Sequence, residues 1–97
     1  MKYSVRYAPR ALANLQRLRE FLRKKNPLAA RRAGQTIIES LRVLGLQPQI
    51  GRPLEDMPVE YREWVIDFGG SGYVARYRVD DEGVTILAIR HQKEAGF

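Results

Sequence analysis

Hydrophobic residues in the first part of the chain follow two different periods. KYSVRYA (residues 2–8) alternates apolar and polar side chains, which predicts a half-buried strand. Pro9 suits the first turn of a helix, because the N–H that proline lacks has no partner there. The apolar residues that follow lie three and four positions apart, as on one face of a helix: Ala11, Leu15, Leu18 and Leu22.

A second helix is predicted directly after the first. Asn26 is a favoured N-cap and Pro27 a favoured first helical residue. Gly45 and Pro48 supply the stop signal. Between these signals, apolar residues again step by three and four: Ala30, Ala33, Ile37, Leu41 and Leu44. Because the connection is so short, we expect the two helices to pack as an antiparallel hairpin.

The second half of the chain is predicted to be β-structure. GRPLEDMP (residues 51–58) has the glycine and proline content of a loop. YREWVIDF (61–68) and YVARYRV (73–79) alternate as strands do, whereas VTILAIRH (84–91) is more continuously apolar, which is typical of an interior strand. The order β-α-α-β-β-β predicts one α+β domain over residues 1–97, with the helical hairpin on one face of a sheet.

Composition narrows the classes of function. The chain has no cysteine, which excludes disulfides and thiolate chemistry. It has no long apolar run and no secretory signal, so we expect a cytoplasmic protein without a membrane span. Residues 1–46 hold eleven Lys/Arg and two Glu, a net charge of +9, whereas residues 47–97 have a net charge of −3. Such a positive first half attracts nucleic acid or an acidic protein segment, and the charge alone leaves both open.

Three segments, in this order and spacing, resemble the RelE/ParE superfamily of bacterial toxins from type II toxin–antitoxin systems. They are YSVRYAPRALANLQRLREFL (3–22), GRPLEDMPVEYREWVIDF (51–68) and GYVARYRVDDEGVTILAIRHQKE (72–94). The resemblance implies a small, curved, mainly antiparallel sheet with the helical hairpin packed on it. It also implies that the protein uses no metal and no cofactor.

The superfamily contains two activities, and the first is RNA cleavage. RelE-like members are similar to endoribonucleases that cut mRNA in the ribosomal A site, which requires a base, an acid and cations at the phosphate. In this chain the set would be His91 as acid or base with Arg62, Arg76 and Arg90. Three features argue against it. Arg90 and His91 are strand neighbours that should point to opposite faces, the sheet half of the chain has only one lysine, Lys93, and the last aromatic residue, Phe97, has no hydroxyl. A lone histidine at a strand end is more often a hydrogen-bonded structural residue.

The second activity is inhibition of DNA gyrase. Three short segments are similar to the ParE-like branch: GRP, REWV and YVARYRV. This similarity implies a toxin that stabilises the cleaved-DNA complex of gyrase and is not itself an enzyme. The expected partners are gyrase and a cognate ParD-like antitoxin with an acidic tail. We expect the target to be bound through the C-terminal segment: Arg90, His91, Lys93 and Phe97. We expect the antitoxin to be bound through basic residues of the helices and the sheet: Arg10, Arg17, Lys24, Arg31, Arg76 and Arg78.

Overall fold

The computed structural model describes residues 3–94 and has the predicted α+β order. The elements, in chain order, are β1 (Val5–Tyr7), α1 (Pro9–Lys25), α2 (Pro27–Arg42), a 3-10 turn (Val43–Gly45), β2 (Arg52–Pro53), β3 (Tyr61–Phe68), β4 (Ser71–Asp80) and β5 (Gly83–His91). The difference from the sequence prediction is β2, a two-residue strand inside the segment predicted to be a loop. Because β2 has only two residues, one of them a proline, it shows no alternation of apolar and polar side chains from which a strand could be predicted.

The helical hairpin begins and turns where the sequence signals lie. Pro9 starts α1, and Arg23, Lys24 and Lys25 occupy its last turn, where cations offset the partial negative charge of the helix end. The Asn26 side chain accepts a hydrogen bond from the Ala29 N–H at 3.1 Å and so caps α2. The two helices therefore join at a single residue.

The sheet has five strands in the order β1-β5-β4-β3-β2. β1 runs parallel to β5, and the other neighbouring pairs are antiparallel. The prediction that the last strand is interior is confirmed, because β5 lies between β1 and β4. We call the side packed against the helices the helix face and the opposite side the outer face.

The core lies between the hairpin and the helix face. Its largest fully buried side chains come from both layers: Ile37, Leu41, Leu44, Ile66, Tyr77, Val84, Ile86 and Ile89. Trp64 is half-buried and packs against this core. Among the described residues, neither helix is long and apolar enough to cross a bilayer.

One extra residue in β5 interrupts the pairing with β4. Tyr77 lies opposite Ile86 and Arg76 opposite Ala88, so Leu87 has no counterpart on β4 and forms a bulge. The Asn14 side chain of α1 accepts a hydrogen bond from the Ile89 N–H just beyond the bulge, at 3.0 Å. The helix thus holds the strand where its pairing pattern changes.

Candidate functional site

The four residues of the nuclease set lie on both faces of the sheet. His91 is opposite Tyr73 of β4, a core residue, and this places His91 on the helix face. Arg90 is one position earlier on β5 and therefore belongs to the outer face, as predicted. Arg62 also lies on the helix face, whereas Arg76 lies on the outer face. The structure therefore does not bring the four side chains to one phosphate-sized site.

His91 is held by two hydrogen bonds. Its Nδ1 accepts the backbone N–H of Lys93 at 3.1 Å, and its Nε2 lies 3.0 Å from the Ser71 hydroxyl oxygen. Because Nδ1 acts as the acceptor, a neutral ring carries its hydrogen on Nε2 and donates it to Ser71. The ring edge also packs against Tyr73, with centroids 5.4 Å apart. Both ring nitrogens of His91 are therefore occupied by hydrogen bonds within the protein.

Arg62 organises the loop that leads into β2. Its Nη1 donates to the carbonyl oxygens of Gln49 at 3.1 Å and Gly51 at 2.7 Å. The buried Tyr77 hydroxyl donates to the Pro48 carbonyl at 2.8 Å and accepts the Gly51 N–H at 2.9 Å. Burial raises the pKa of Tyr77 above its ordinary value, although the Gly51 hydrogen bond and the Arg62 charge act in the opposite direction. Arg62 therefore fixes backbone instead of facing an open pocket.

Glu63 is the buried charged residue of the outer face. Only 8% of it is exposed, and its carboxylate contacts Arg52 at 2.9 Å and Arg76 at 3.3 Å. Arg52 and Arg76 lie directly opposite Glu63 on the two neighbouring strands, which explains the arrangement. Arg78 pairs instead with Asp80, at 3.3 Å.

The predicted target-binding residues differ in how accessible they are. Arg90 Nη1 donates to the backbone carbonyls of the turn that follows β5, and His91 is bonded as described above. Lys93 is exposed, and Phe97 lies outside the described residues. Of the described members of this set, Lys93 is therefore the one whose side chain faces solvent most openly.

The predicted antitoxin-binding residues lie on two surfaces. Arg76 and Arg78 belong to the outer face of the sheet, and the others are exposed on the helices: Arg10, Arg17, Lys24 and Arg31. The hairpin, residues 9–42, holds nine Lys/Arg and two Glu, a net charge of +7. The net positive charge of the molecule is thus concentrated on the helical hairpin.

A groove of about 590 Å³ runs between the two helices on this basic surface. Its apolar lining comes from both helices, and Leu12 at its edge is 53% exposed. Phe21 and Leu28, elsewhere on the hairpin, are 58% and 53% exposed. Three basic side chains also line the groove: Arg19, Arg23 and Arg31. The sequence shows that the helices are basic but does not reveal the groove, which depends on how the helices pack.

Comparison with known proteins identifies the family. The family model of the ParE toxin of the type II toxin-antitoxin system parDE matches residues 5–96. Toxin RelE3 of Caulobacter vibrioides is 37% identical over 91 residues, which cover 94% of this chain and 96% of that protein. The toxin–antitoxin complex RelBE2 of Mycobacterium tuberculosis contains a chain that superposes with a TM-score of 0.65 at 26% identity, covering 95% of this chain and 100% of that one. The chromosomal ParDE system of P. aeruginosa gives a TM-score of 0.74 at 22% identity, covering 93% and 96%. The chain belongs to the ParE toxin family of type II toxin–antitoxin systems, within the RelE/ParE superfamily.

Proposed function

We propose that this toxin acts by binding DNA gyrase and stabilising its cleaved-DNA complex. The observation that supports the proposal is the division of Arg62, Arg76, Arg90 and His91 between two faces of the sheet, with internal hydrogen-bond partners on each. RNA cleavage needs a proton acceptor, a proton donor and cations around the same phosphate. Arginine stays protonated at neutral pH and cannot supply the proton transfers. Because these four residues lack that arrangement, we expect the toxin to act by binding another enzyme.

An alternative function, cleavage of mRNA on the ribosome, is favoured by the cluster around Glu63. There a carboxylate that could accept a proton lies within 3.3 Å of two guanidinium groups that could bind a phosphate. The relative from Caulobacter vibrioides also carries the name RelE. Two features disfavour the alternative: Glu63 is buried, and both of its oxygens are occupied by Arg52 and Arg76. We therefore rank this alternative second.

We further propose that a ParD-like antitoxin neutralises the toxin by binding the basic hairpin. Structural relatives named as ParDE and RelBE2 toxin–antitoxin systems support an antitoxin partner. The groove between the helices offers exposed apolar surface from Leu12 together with the arginines of its rim. An acidic partner segment would gain affinity from the apolar contacts and association rate from the charges.

Purified toxin tested against gyrase and against translating ribosomes distinguishes the two activities. We expect linear DNA to accumulate from supercoiled plasmid when toxin, gyrase and ATP are combined, and not when gyrase is omitted. We expect Lys93→Ala to weaken this effect and Arg6→Ala, which also removes one exposed positive charge, to leave it unchanged. Toxin-dependent cuts in mRNA on programmed ribosomes, without any effect on gyrase, would refute the proposal and establish the alternative.

A further inference from the structure

The turn after β5 is closed by one guanidinium group. Arg90 Nη1 donates to the carbonyl oxygens of His91 at 3.2 Å, Gln92 at 3.3 Å and Glu94 at 3.1 Å. These carbonyls belong to residues that follow Arg90 in the chain. The Arg90 side chain therefore holds the backbone of the turn in place where the chain leaves the sheet. The direction of the chain at Glu94 therefore depends on Arg90.

The Glu94 side chain ties the same turn to the helical hairpin. Its Oε1 accepts the His91 N–H at 3.3 Å, and both of its oxygens accept from Arg17 Nη2 of α1, at 3.4 and 3.2 Å. Burial alone would raise the pKa of Glu94, but the His91 hydrogen bond and Arg17 outweigh it and lower the pKa below its ordinary value. The carboxylate thus remains charged at neutral pH and bridges two elements.

Helix α1 holds the end of β5 at a second point. Asn14, three residues before Arg17 and on the same side of the helix, accepts the Ile89 N–H at 3.0 Å. The Asn14–Ile89 and Arg17–Glu94 contacts lie at the two ends of the segment from Ile89 to Glu94. Together they set the last strand and the turn after it against one side of α1.

We propose that Arg17, Arg90 and Glu94 are positioning residues that orient the turn after β5, with the exposed Lys93, for contact with gyrase. The inference rests on the proposed function, because it assumes that exposed Lys93 and the residues beside it meet the target. None of the three needs to touch gyrase. Their role is to hold the turn in one direction before the target binds, so that binding does not have to order it.

Loss of the Arg17–Glu94 contact should loosen the turn without unfolding the domain. The two side chains are 56% and 35% exposed, and an ion pair of that exposure contributes little to global stability. The Arg6–Glu82 pair is a matched control, since it is also exposed and joins β1 to the turn before β5. Glu94→Gln is the milder variant, because the amide oxygen can still accept the His91 N–H while the charge is lost.

Two measurements on Arg17→Ala, Glu94→Gln and the double variant test the proposal. By NMR hydrogen exchange, we expect the His91 and Lys93 amides to exchange several-fold faster in each variant while core amides stay protected. In the plasmid assay, we expect each single variant to need about fivefold more toxin for half-maximal linear DNA, and the double variant to need no more than either single one, because both remove the same contact. We expect Arg17→Lys to restore most of the activity and Arg6→Ala to behave as wild type.

Each contrary result refutes a defined step. Unchanged exchange at His91 and Lys93 would mean that the pair does not hold the turn. Faster exchange with wild-type action on gyrase would mean that the turn does not position the target contact. Additive losses in the double variant would mean that Arg17 meets gyrase directly. If wild-type toxin itself leaves gyrase unaffected, the proposed function fails and the positioning role fails with it.

Discussion

Replacement of Glu63 by alanine tests how strongly the outer face depends on its buried carboxylate. The two ion pairs of Glu63 are unequal, because Arg52 is 77% exposed and Arg76 is 31% exposed. The exposed pair is worth less than about 1 kcal/mol. The pair with Arg76 is mostly shielded from water, and a hydrogen bond to a charged group in such a setting contributes about 1.5–3 kcal/mol.

We therefore expect Glu63→Ala to lower the free energy of unfolding by about 2–4 kcal/mol, close to the effect of removing one member of a buried ion pair. For a domain of about 100 residues this corresponds to a fall in melting temperature of roughly 10–20 °C. Arg52→Ala, the matched control, should cost less than about 1 kcal/mol. Urea denaturation followed by the fluorescence of Trp64, the single tryptophan, measures both variants. If Glu63→Ala costs no more than Arg52→Ala, the shielded pair with Arg76 does not stabilise the fold.

Further substitutions, and a change of pH, test other contacts of the fold by urea or thermal denaturation. Asn14→Ala removes the acceptor of the Ile89 N–H and should cost about 1–2 kcal/mol, whereas Asn14→Asp, which keeps an acceptor, should cost less. Gly51→Ala would put a Cβ against the Tyr77 hydroxyl and 2.6 Å from a backbone carbonyl and should cost more than about 2 kcal/mol. Gly70→Ala meets no atom within 4 Å and should change stability by less than about 0.5 kcal/mol. Because burial raises the pKa of Tyr77 above its ordinary value, the folded state holds that proton more tightly. The contribution of the protonated Tyr77 to the free energy of unfolding should therefore be fully present below pH 10 and be lost as the pH rises above it. Tyr77→Phe should reduce this loss of stability at high pH.

The helices could be predicted because their signals are local. Pro9, Asn26 and Pro27 act within one turn of the chain, and the apolar spacing reports directly which face is buried. Two features of the sheet lack such signals. β2 spans two residues, which are too few to show a period. The bulge at Leu87 lies in a continuous run of apolar residues, where one extra residue does not change the pattern.

The contacts of the candidate site could be predicted only where strand pairing determines them. Arg76 faces Glu63 because the pairing of β3 with β4 places them opposite each other. The partners of Arg62 are carbonyls of a loop whose path no pattern specifies. The contact between Arg17 and Glu94 joins residues 77 positions apart, so it depends on how α1 lies across the sheet.

The placement of acidic residues explains why the outer face is a poor candidate for phosphate binding. Arg6 faces Glu82 at 3.5 Å and Arg78 faces Asp80 at 3.3 Å, in addition to the pairs that Glu63 makes with Arg52 and Arg76. A phosphate bound beside these four arginines would have to compete with those carboxylates for each guanidinium. The hairpin, with a net charge of +7, has no comparable set of acids. Since screened attraction depends on net local charge, an acidic partner approaching the toxin should be steered toward the helices and away from the outer face of the sheet.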